Sequence, residues 1–244
     1  MKKRWVALVY SENWVHQTAL EHICQADSQI LSVQSFSGTS GCSKKRQAVP
    51  DIVILDISPR KYVMLILKIR QTWPGVYIFF TRQAFLFSER VVADFFGGIW
   101  LKEYDAIMSG WSEFCFSHCL TSPTLSGAYA PVKVIHEQSV ENEVISELEI
   151  FLHKRLSHII SLRASDIVFR WLLSKLSLSE ICQQSGLKEK TIYHYREETM
   201  RRLQIRHYSR DFSTSLTVSS GRVPSFLMQR CLTGTRRVSR HVSG

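Results

Sequence analysis

Four short apolar runs in the first hundred residues constrain the fold more than any other feature of this sequence. Segments with helical spacing separate them, and they read WVALVY (5–10), DIVILDI (51–57), VYIFF (76–80) and GIWL (98–101). Near-continuous β-branched runs separated by helices are typical of parallel strands covered on both faces. The first half is therefore predicted to be a doubly wound α/β domain, whose functional crevice lies at the carboxyl ends of the strands.

The net charge of +10 lies mostly in the second half of the chain. Residues 1–130 carry 13 basic and 10 acidic side chains, whereas residues 131–244 carry 18 and 11. An excess of positive charge favours a polyanionic partner. Because many basic proteins bind no nucleic acid, the charge alone does not predict a nucleic-acid partner, and a sequence motif is needed as well.

Several classes of protein are excluded by what the sequence does not contain. No apolar run approaches the roughly 18 residues of a membrane span, and the apolar start WVALVY is too short for the core of a signal peptide. A cytoplasmic location is therefore expected, with no membrane partner. The six cysteines are scattered without a CxxC pair, so free thiols are predicted and no metal site or cofactor is expected.

Changes in composition divide the chain into four parts. The α/β domain is expected over residues 1–121, and turn-forming residues predict a linker over 122–140. A helical domain is expected over 141–212, and the aperiodic segment 213–244 is predicted to be poorly ordered.

The helical domain is predicted to begin with ENEVISELEIFLHKRLSHII (141–160). Its apolar residues form one stripe, which consists of Val144, Leu148, Phe151, Leu152, Leu156 and Ile159. The stripe can pack within its own domain or against a partner, and packing within the domain is favoured.

Three further helices are indicated between residues 162 and 210. Ser165 and Asp166 offer an N-cap to the first of them. The second begins at Ser177 or Ser179 and continues through residue 184, with Ile181 facing inward.

A glycine turn and a basic helix complete this pattern. Gly186 supplies the tight turn, and the third helix is expected from about Lys188 to Leu203. A short helix, a turn that contains glycine and a longer basic helix are the parts of a helix-turn-helix, which binds in the major groove of DNA.

The segment SLSEICQQSGLKEKTIYHYREETMRRLQIR resembles the LuxR-type (NarL/FixJ) DNA-binding domain. The pattern of that family is matched at Ser177, Glu180, Ile181, Gly186, Leu187, Lys190, Thr191, Ile192, Arg201, Arg202, Leu203 and Ile205. It is not matched at Cys182, where the family has Ala, at Tyr195, where it has His, or at Gln204, where it has Gly. The resemblance implies recognition of DNA by the third helix, in dimers.

The third helix supplies the candidate DNA-binding residues. Basic side chains neutralise phosphates, hydroxyl groups donate hydrogen bonds to phosphate oxygens, and exposed side chains in the groove contact base edges. The predicted contacts with double-stranded promoter DNA are made by Lys190, Thr191, Tyr193, His194, Tyr195, Arg196, Arg201 and Arg202. The alternative is a solvated basic helix whose aromatic rings pack on a neighbouring element.

The first half resembles the receiver domain of response regulators. PDIVILDISP is similar to the strand that ends in the phosphorylated aspartate, which would be Asp56. In the same resemblance, Thr81 takes the position of the receiver hydroxyl and Lys102 that of the receiver lysine.

One element of that resemblance fails. Receivers carry an acidic pair after the first strand that binds Mg²⁺, and Tyr10 and Ser11 stand at those positions here. Magnesium prefers carboxylates, and Glu12 lies one residue further on. A degenerate receiver that is not phosphorylated is therefore expected, and phosphorylation of Asp56 is the alternative.

These resemblances together predict a regulator rather than an enzyme. No GxGxxG or GxxxxGK[ST] loop follows any predicted strand, so a nucleotide-dependent enzyme is not expected. The expected protein is a sequence-specific transcription regulator that acts as a homodimer, or as a heterodimer with another LuxR-type regulator. Degenerate receivers of this kind occur in the RcsA and BglJ auxiliary regulators, to which the chain is similar.

Overall fold

The computed structural model describes residues 4–35, 48–110, 114–121, 141–174 and 176–221. The predicted linker and the last 23 residues of the predicted tail lie outside these ranges.

The chain divides into two units. Described residues 4–85, 92–121 and 219–221 belong to the first unit, and residues 86–91 and 141–218 belong to the second. No described helix is long and apolar enough to cross a membrane.

A five-stranded parallel sheet forms the centre of the first unit. Its strands lie in the order β2-β1-β3-β4-β5, with every neighbouring pair parallel. They are β1 (Trp5–Ser11), β2 (Ile30–Ser35), β3 (Ile52–Asp56), β4 (Tyr77–Arg82) and β5 (Ile99–Glu103). The predicted α/β fold is confirmed, and the strand order reverses between β1 and β3, where doubly wound folds bind ligands.

The helices of this unit are α1 (Trp14–Ala26), α2 (Val63–Thr72), α4 (Tyr104–Ser109) and α5 (Phe116–Thr121), together with residues 92–96 of α3 (Phe87–Phe96). α1, α2 and α3 agree closely with the helical spacing in the sequence. β2 was not predicted, because this edge strand exposes residues such as Leu31 and has no apolar run.

Alternate residues of the central strands face opposite sides of the sheet. On one side, Ala7, Ile54 and Phe79 pack in a core cluster with residues from α1 and α5. The intervening strand residues Leu8 and Leu55 are 1% exposed or less. Burial on both sides explains why the sequence of these strands is apolar throughout.

The side chain of Arg70 holds three segments together within the first unit. Its Nη1 donates to the carbonyl of Val76 at 2.9 Å, and its Nη2 donates to the carbonyls of Gly97 and Gly98 at 2.8 and 2.7 Å. One guanidinium at the end of α2 thus joins the entry to β4 with the turn before β5.

Helices alone form the described part of the second unit up to residue 216. They are α6 (Glu141–Ser157), α7 (Leu162–Ile167), α8 (Leu178–Ser185), α9 (Glu189–Arg202) and α10 (Ser213–Leu216). A π-helical turn, Val168–Leu172, continues α7, and a second one, Tyr208–Phe212, precedes α10.

Three details differ from the sequence predictions. The N-cap of α7 is Ser161, whose Oγ accepts from the amide of Ala164, whereas Ser165 is buried inside the helix. In α6 the buried stripe ends on Ile160 rather than Ile159, because the helix stops at Ser157 and the chain turns. The predicted tail begins too early, since Leu216 is 1% exposed and packs in the core of this unit.

Candidate nucleic-acid interface

A capping box fixes the start of α8. The hydroxyl of Ser177 accepts from the amide of Glu180 at 3.3 Å, and a carboxylate oxygen of Glu180 accepts from the amide of Ser177 at 2.7 Å. These reciprocal bonds satisfy amide groups that have no partner inside the helix. Hydrogen bonds from Ser177 also lower the pKa of Glu180 below its ordinary value.

A left-handed glycine separates α8 from α9. Gly186 has a φ of 67°, and its amide donates to the carbonyl of Cys182 at 3.0 Å. A residue with a Cβ is strained in this conformation. The glycine turn predicted between the two helices is therefore present at the predicted residue.

A Schellman motif ends α9. The amide of Ile205 donates to the carbonyl of Met200 at 2.8 Å, and the amide of Gln204 donates to that of Arg201 at 3.3 Å. Gln204 has a φ of 56°, the left-handed conformation that this motif usually gives to glycine. The family pattern has glycine here, so this chain keeps the backbone shape with a strained residue.

One side of α9 packs in the core of the second unit. Ile192 is 1% exposed and Thr199 is fully buried. Tyr195, predicted to contact phosphate, is half-buried and packs against the same core cluster. Its side chain therefore helps to hold the helix on the core, in addition to any contact with phosphate.

The opposite side of α9 carries exposed basic groups. Lys190, Arg201 and Arg202 are exposed, and none of the three forms an ion pair with a described residue. The helical repeat places Lys190, His194 and Arg201 along one line of the surface. Tyr193 borders this line and is 39% exposed.

Two predicted contact residues have partners on the protein itself. The Nε2 of His194 lies 3.9 Å from a carboxylate oxygen of Glu198, although the side chain of His194 is 71% exposed. Arg196 was expected on the exposed face, but its guanidinium lies between the rings of Tyr193 and Tyr208. Thr191 is half-buried in the first turn of the helix.

A second cluster of polar groups lies in the first unit, at the carboxyl edge of the sheet. Ser11 and Asp56 are paired in the strand register, as are Thr81 and Lys102. These four of the residues named in the receiver comparison therefore stand at neighbouring strand ends, as parallel strands require.

Three side chains share the carboxylate of Asp56. The Ser11 hydroxyl donates to its Oδ2 at 2.5 Å, the His16 Nδ1 lies 2.9 Å from the same oxygen, and the Tyr104 hydroxyl donates to its Oδ1. The side chain of Asp56 is 8% exposed. Burial, and then the hydrogen bond to Asp56, raise the pKa of Tyr104 well above its ordinary value.

The partners of Asp56 differ from those expected. Lys102, which takes the position of the receiver lysine, makes no ion pair with Asp56. Thr81 is fully buried beside Tyr104. Its hydroxyl lowers the pKa of Tyr104, which partly opposes the larger increase caused by burial and Asp56. His16 and Tyr104 were missed because neither lies at a position that the receiver pattern marks.

The carboxylate of Glu12 is hydrogen-bonded to a tyrosine rather than to the groups around Asp56. Its Oε1 accepts from the hydroxyl of Tyr62 at 2.7 Å. Burial and this hydrogen bond raise the pKa of Tyr62 to about 12. Glu12 therefore does not replace the missing acidic pair in this structure.

Two solved structures are similar to this chain in fold. RcsB from Salmonella enterica serovar Typhimurium, bound to promoter rprA in the presence of the phosphomimetic BeF3-, matches with a TM-score of 0.50 and 14% identity over 89% of this chain and 99% of that chain. The two-component response regulator RcsB in a DNA complex matches with a TM-score of 0.51 and 14% identity, over 88% and 100%. At this identity the likeness establishes the fold, a parallel α/β unit followed by a helical unit.

No protein-family model matches the chain, and no curated protein matches its sequence.

Proposed function

We propose that this chain is a sequence-specific transcription regulator that binds double-stranded DNA through α9. The observation that carries the proposal is the exposure of basic groups on that helix, where Lys190, Arg201 and Arg202 have no acidic partner among the described residues. Unpaired cations on a helix that follows a glycine turn fit the negative phosphates along the major groove. The similarity in fold to RcsB structures that contain DNA supports the same reading.

The residues of α9 are proposed to have two roles, contact with phosphates and contact with bases. Lys190, Arg201 and Arg202 neutralise phosphates and give an affinity that depends on salt. Tyr193 and His194 lie where base edges are met, and the hydroxyl groups of Thr191 and Tyr195 reach phosphate oxygens.

Selection from a pool of randomised duplexes tests this function. The full chain, alone and mixed with a second LuxR-type regulator, is expected to enrich a short sequence motif. Enrichment by the chain alone supports a homodimer, and enrichment that needs the second protein supports a heterodimer of the kind that RcsA or BglJ forms with RcsB. If neither sample enriches any motif over the starting pool, the proposal is wrong.

The proposed regulator acts without phosphorylation. A receiver binds Mg²⁺ through several carboxylates, and Mg²⁺ also retains water molecules in a near-octahedral shell. Here Tyr10 and Ser11 replace the acidic pair, and both oxygens of Asp56 are already hydrogen-bonded by protein groups. These residues do not fit the metal, so phosphoryl transfer to this pocket is not expected.

A phosphorylation-controlled regulator is the second candidate. The position of Asp56 at the end of β3, with Thr81 and Lys102 at the ends of the next two strands, favours it. Incubation with acetyl phosphate and Mg²⁺ separates the two candidates. We expect no added phosphoryl group by intact-mass spectrometry, whereas an added group that Asp56→Asn abolishes would establish the second candidate.

A further inference from the structure

The guanidinium of Arg196 lies between two tyrosine rings. Its Cζ is 4.4 Å from the ring centroid of Tyr193 and 4.7 Å from that of Tyr208. Its Nη2 donates to a carboxylate oxygen of Glu197 at 3.2 Å, and the whole side chain is only 25% exposed. A guanidinium this close to two ring faces is attracted by both of them. Arg196 is therefore held against its own protein.

This stack continues into the core of the second unit. The ring of Tyr208 lies 4.8 Å from that of Phe212, which is 2% exposed and belongs to the core cluster. Phe212, Tyr208, Arg196 and Tyr193 thus form a column of four groups, which we call the Tyr–Arg stack. The column ends on the exposed side of α9, where Tyr193 is 39% exposed and lies beside Lys190.

We infer that Arg196 is a positioning residue, which holds the ring of Tyr193 for contact with base pairs and does not neutralise a phosphate itself. The inference rests on the proposed function and deepens it, because it separates residues that read sequence from residues that attract the backbone. An aromatic ring already held in place loses little freedom on binding. Its apolar face can meet a thymine methyl group, and its hydroxyl can hydrogen-bond to a base edge.

Substitution by lysine distinguishes a stacked arginine from a phosphate contact. Lysine keeps the positive charge but lacks the planar guanidinium group, which can stack on aromatic rings. Arg196→Lys therefore preserves a phosphate contact and weakens the Tyr–Arg stack. Tyr208→Ala removes a ring of the stack with no change in charge, and Tyr208→Phe restores that ring.

The experiment measures two quantities for the full chain, using the duplex that selection enriches and a scrambled duplex of the same composition. The first is selectivity, the ratio of the two dissociation constants. The second is the slope of log Kd against log salt concentration, which changes by about 0.9 for each phosphate contact. Arg210→Lys is the matched control, because Arg210 is 73% exposed and paired with Asp211 outside the stack.

Arg196→Lys and Tyr208→Ala are each expected to reduce selectivity roughly tenfold, with an unchanged salt slope. Tyr208→Phe and Arg210→Lys are expected to keep the selectivity of the unmodified chain. If Arg196→Lys retains full selectivity while Arg196→Ala lowers the slope by about one, Arg196 is a phosphate contact and the inference is overturned. If the unmodified chain prefers no duplex, the proposed function fails and the inference fails with it. The two failures are distinguishable, because the inference alone fails only when the unmodified chain is selective.

Discussion

The carboxyl edge of the sheet and the exposed side of α9 are both rich in polar groups, but these groups are buried and hydrogen-bonded at the sheet and exposed on α9. At the edge of the sheet, the carboxylate of Asp56 is 8% exposed and is shared by three protein side chains. On α9, three basic side chains are exposed and none forms an ion pair with a described residue.

This difference separates internal polar structure from a binding surface. A buried carboxylate that already accepts hydrogen bonds stabilises its own fold, and removing its partners costs free energy. Exposed cations without partners add little to stability, yet they remain available to a charged ligand. Substitutions on α9 should therefore change DNA binding, whereas substitutions in the Asp56 pocket should change stability.

The largest effect is expected on α9, from Lys190→Ala combined with Arg201→Ala and Arg202→Ala. Loss of three phosphate contacts should weaken DNA binding by roughly a hundredfold and lower the salt slope by about 0.9 per contact. Fluorescence anisotropy over a series of salt concentrations measures both quantities. The melting temperature should not change.

A matched control for that variant removes charge elsewhere in the same unit. Lys154 and Arg155 on α6 and Arg163 on α7 are exposed, and replacing all three by alanine should leave the salt slope nearly unchanged. An equal loss of slope in the control would show that net charge, rather than α9, attracts the DNA.

The next effect is expected in the carboxylate pocket. Asp56→Ala leaves Ser11, His16 and Tyr104 without their shared acceptor and should lower the free energy of unfolding by about 2 kcal/mol. Asp56→Asn keeps the shape and one acceptor oxygen, so it should cost about half as much. Urea denaturation followed by circular dichroism measures both changes. Unchanged stability in both variants would mean that the pocket is not a stabilising network.

A gain in stability is expected at the end of α9. Gln204→Gly relieves a left-handed residue and should raise the free energy of unfolding of the second unit by up to about 1 kcal/mol. Gly186→Ala introduces the opposite strain at the start of the helix, where no atom within 4 Å would obstruct the new Cβ. Thermal melts of the two variants should therefore shift in opposite directions, and a shift in the same direction would contradict this reading.

The smallest effect is a dependence of stability on alkaline pH. Because the pKa of Tyr104 is raised in the folded chain, the folded state holds its proton more tightly than the unfolded state does. The resulting stability is fully present below the ordinary tyrosine pKa of about 10 and is lost as the pH rises above it. Tyr104→Phe should make the decline between pH 10 and pH 11, roughly, less steep in urea titrations.

Tyr62→Phe provides the comparison for that titration. Tyr62 also has a raised pKa, about 12, but its partner is Glu12 rather than Asp56. Each single variant should remove part of the decline of stability with rising pH. If neither variant alters this pH dependence, neither hydroxyl group is its source.

The fold was predictable because its signals are local in the sequence. Apolar runs such as 51–57 mark strands buried on both sides, and Gly186 marks the turn between α8 and α9. β2 was missed because an edge strand with exposed residues lacks such a run.

The partners of the polar side chains were harder to predict. His16 and Tyr104 meet Asp56 across 40 and 48 residues of sequence, and Tyr208 reaches Arg196 from a separate helical turn. Such pairings depend on tertiary geometry, and spacing within one helix carries no information about them.

The hydrogen bonds of Arg70 affect how the first unit opens locally. Its guanidinium holds carbonyl groups from the turn before β4 and the turn before β5. When that one side chain leaves its place, both turns lose hydrogen bonds in the same event. Their backbone amides should therefore exchange with solvent deuterium as one cooperative group, although more than 20 residues of sequence separate them.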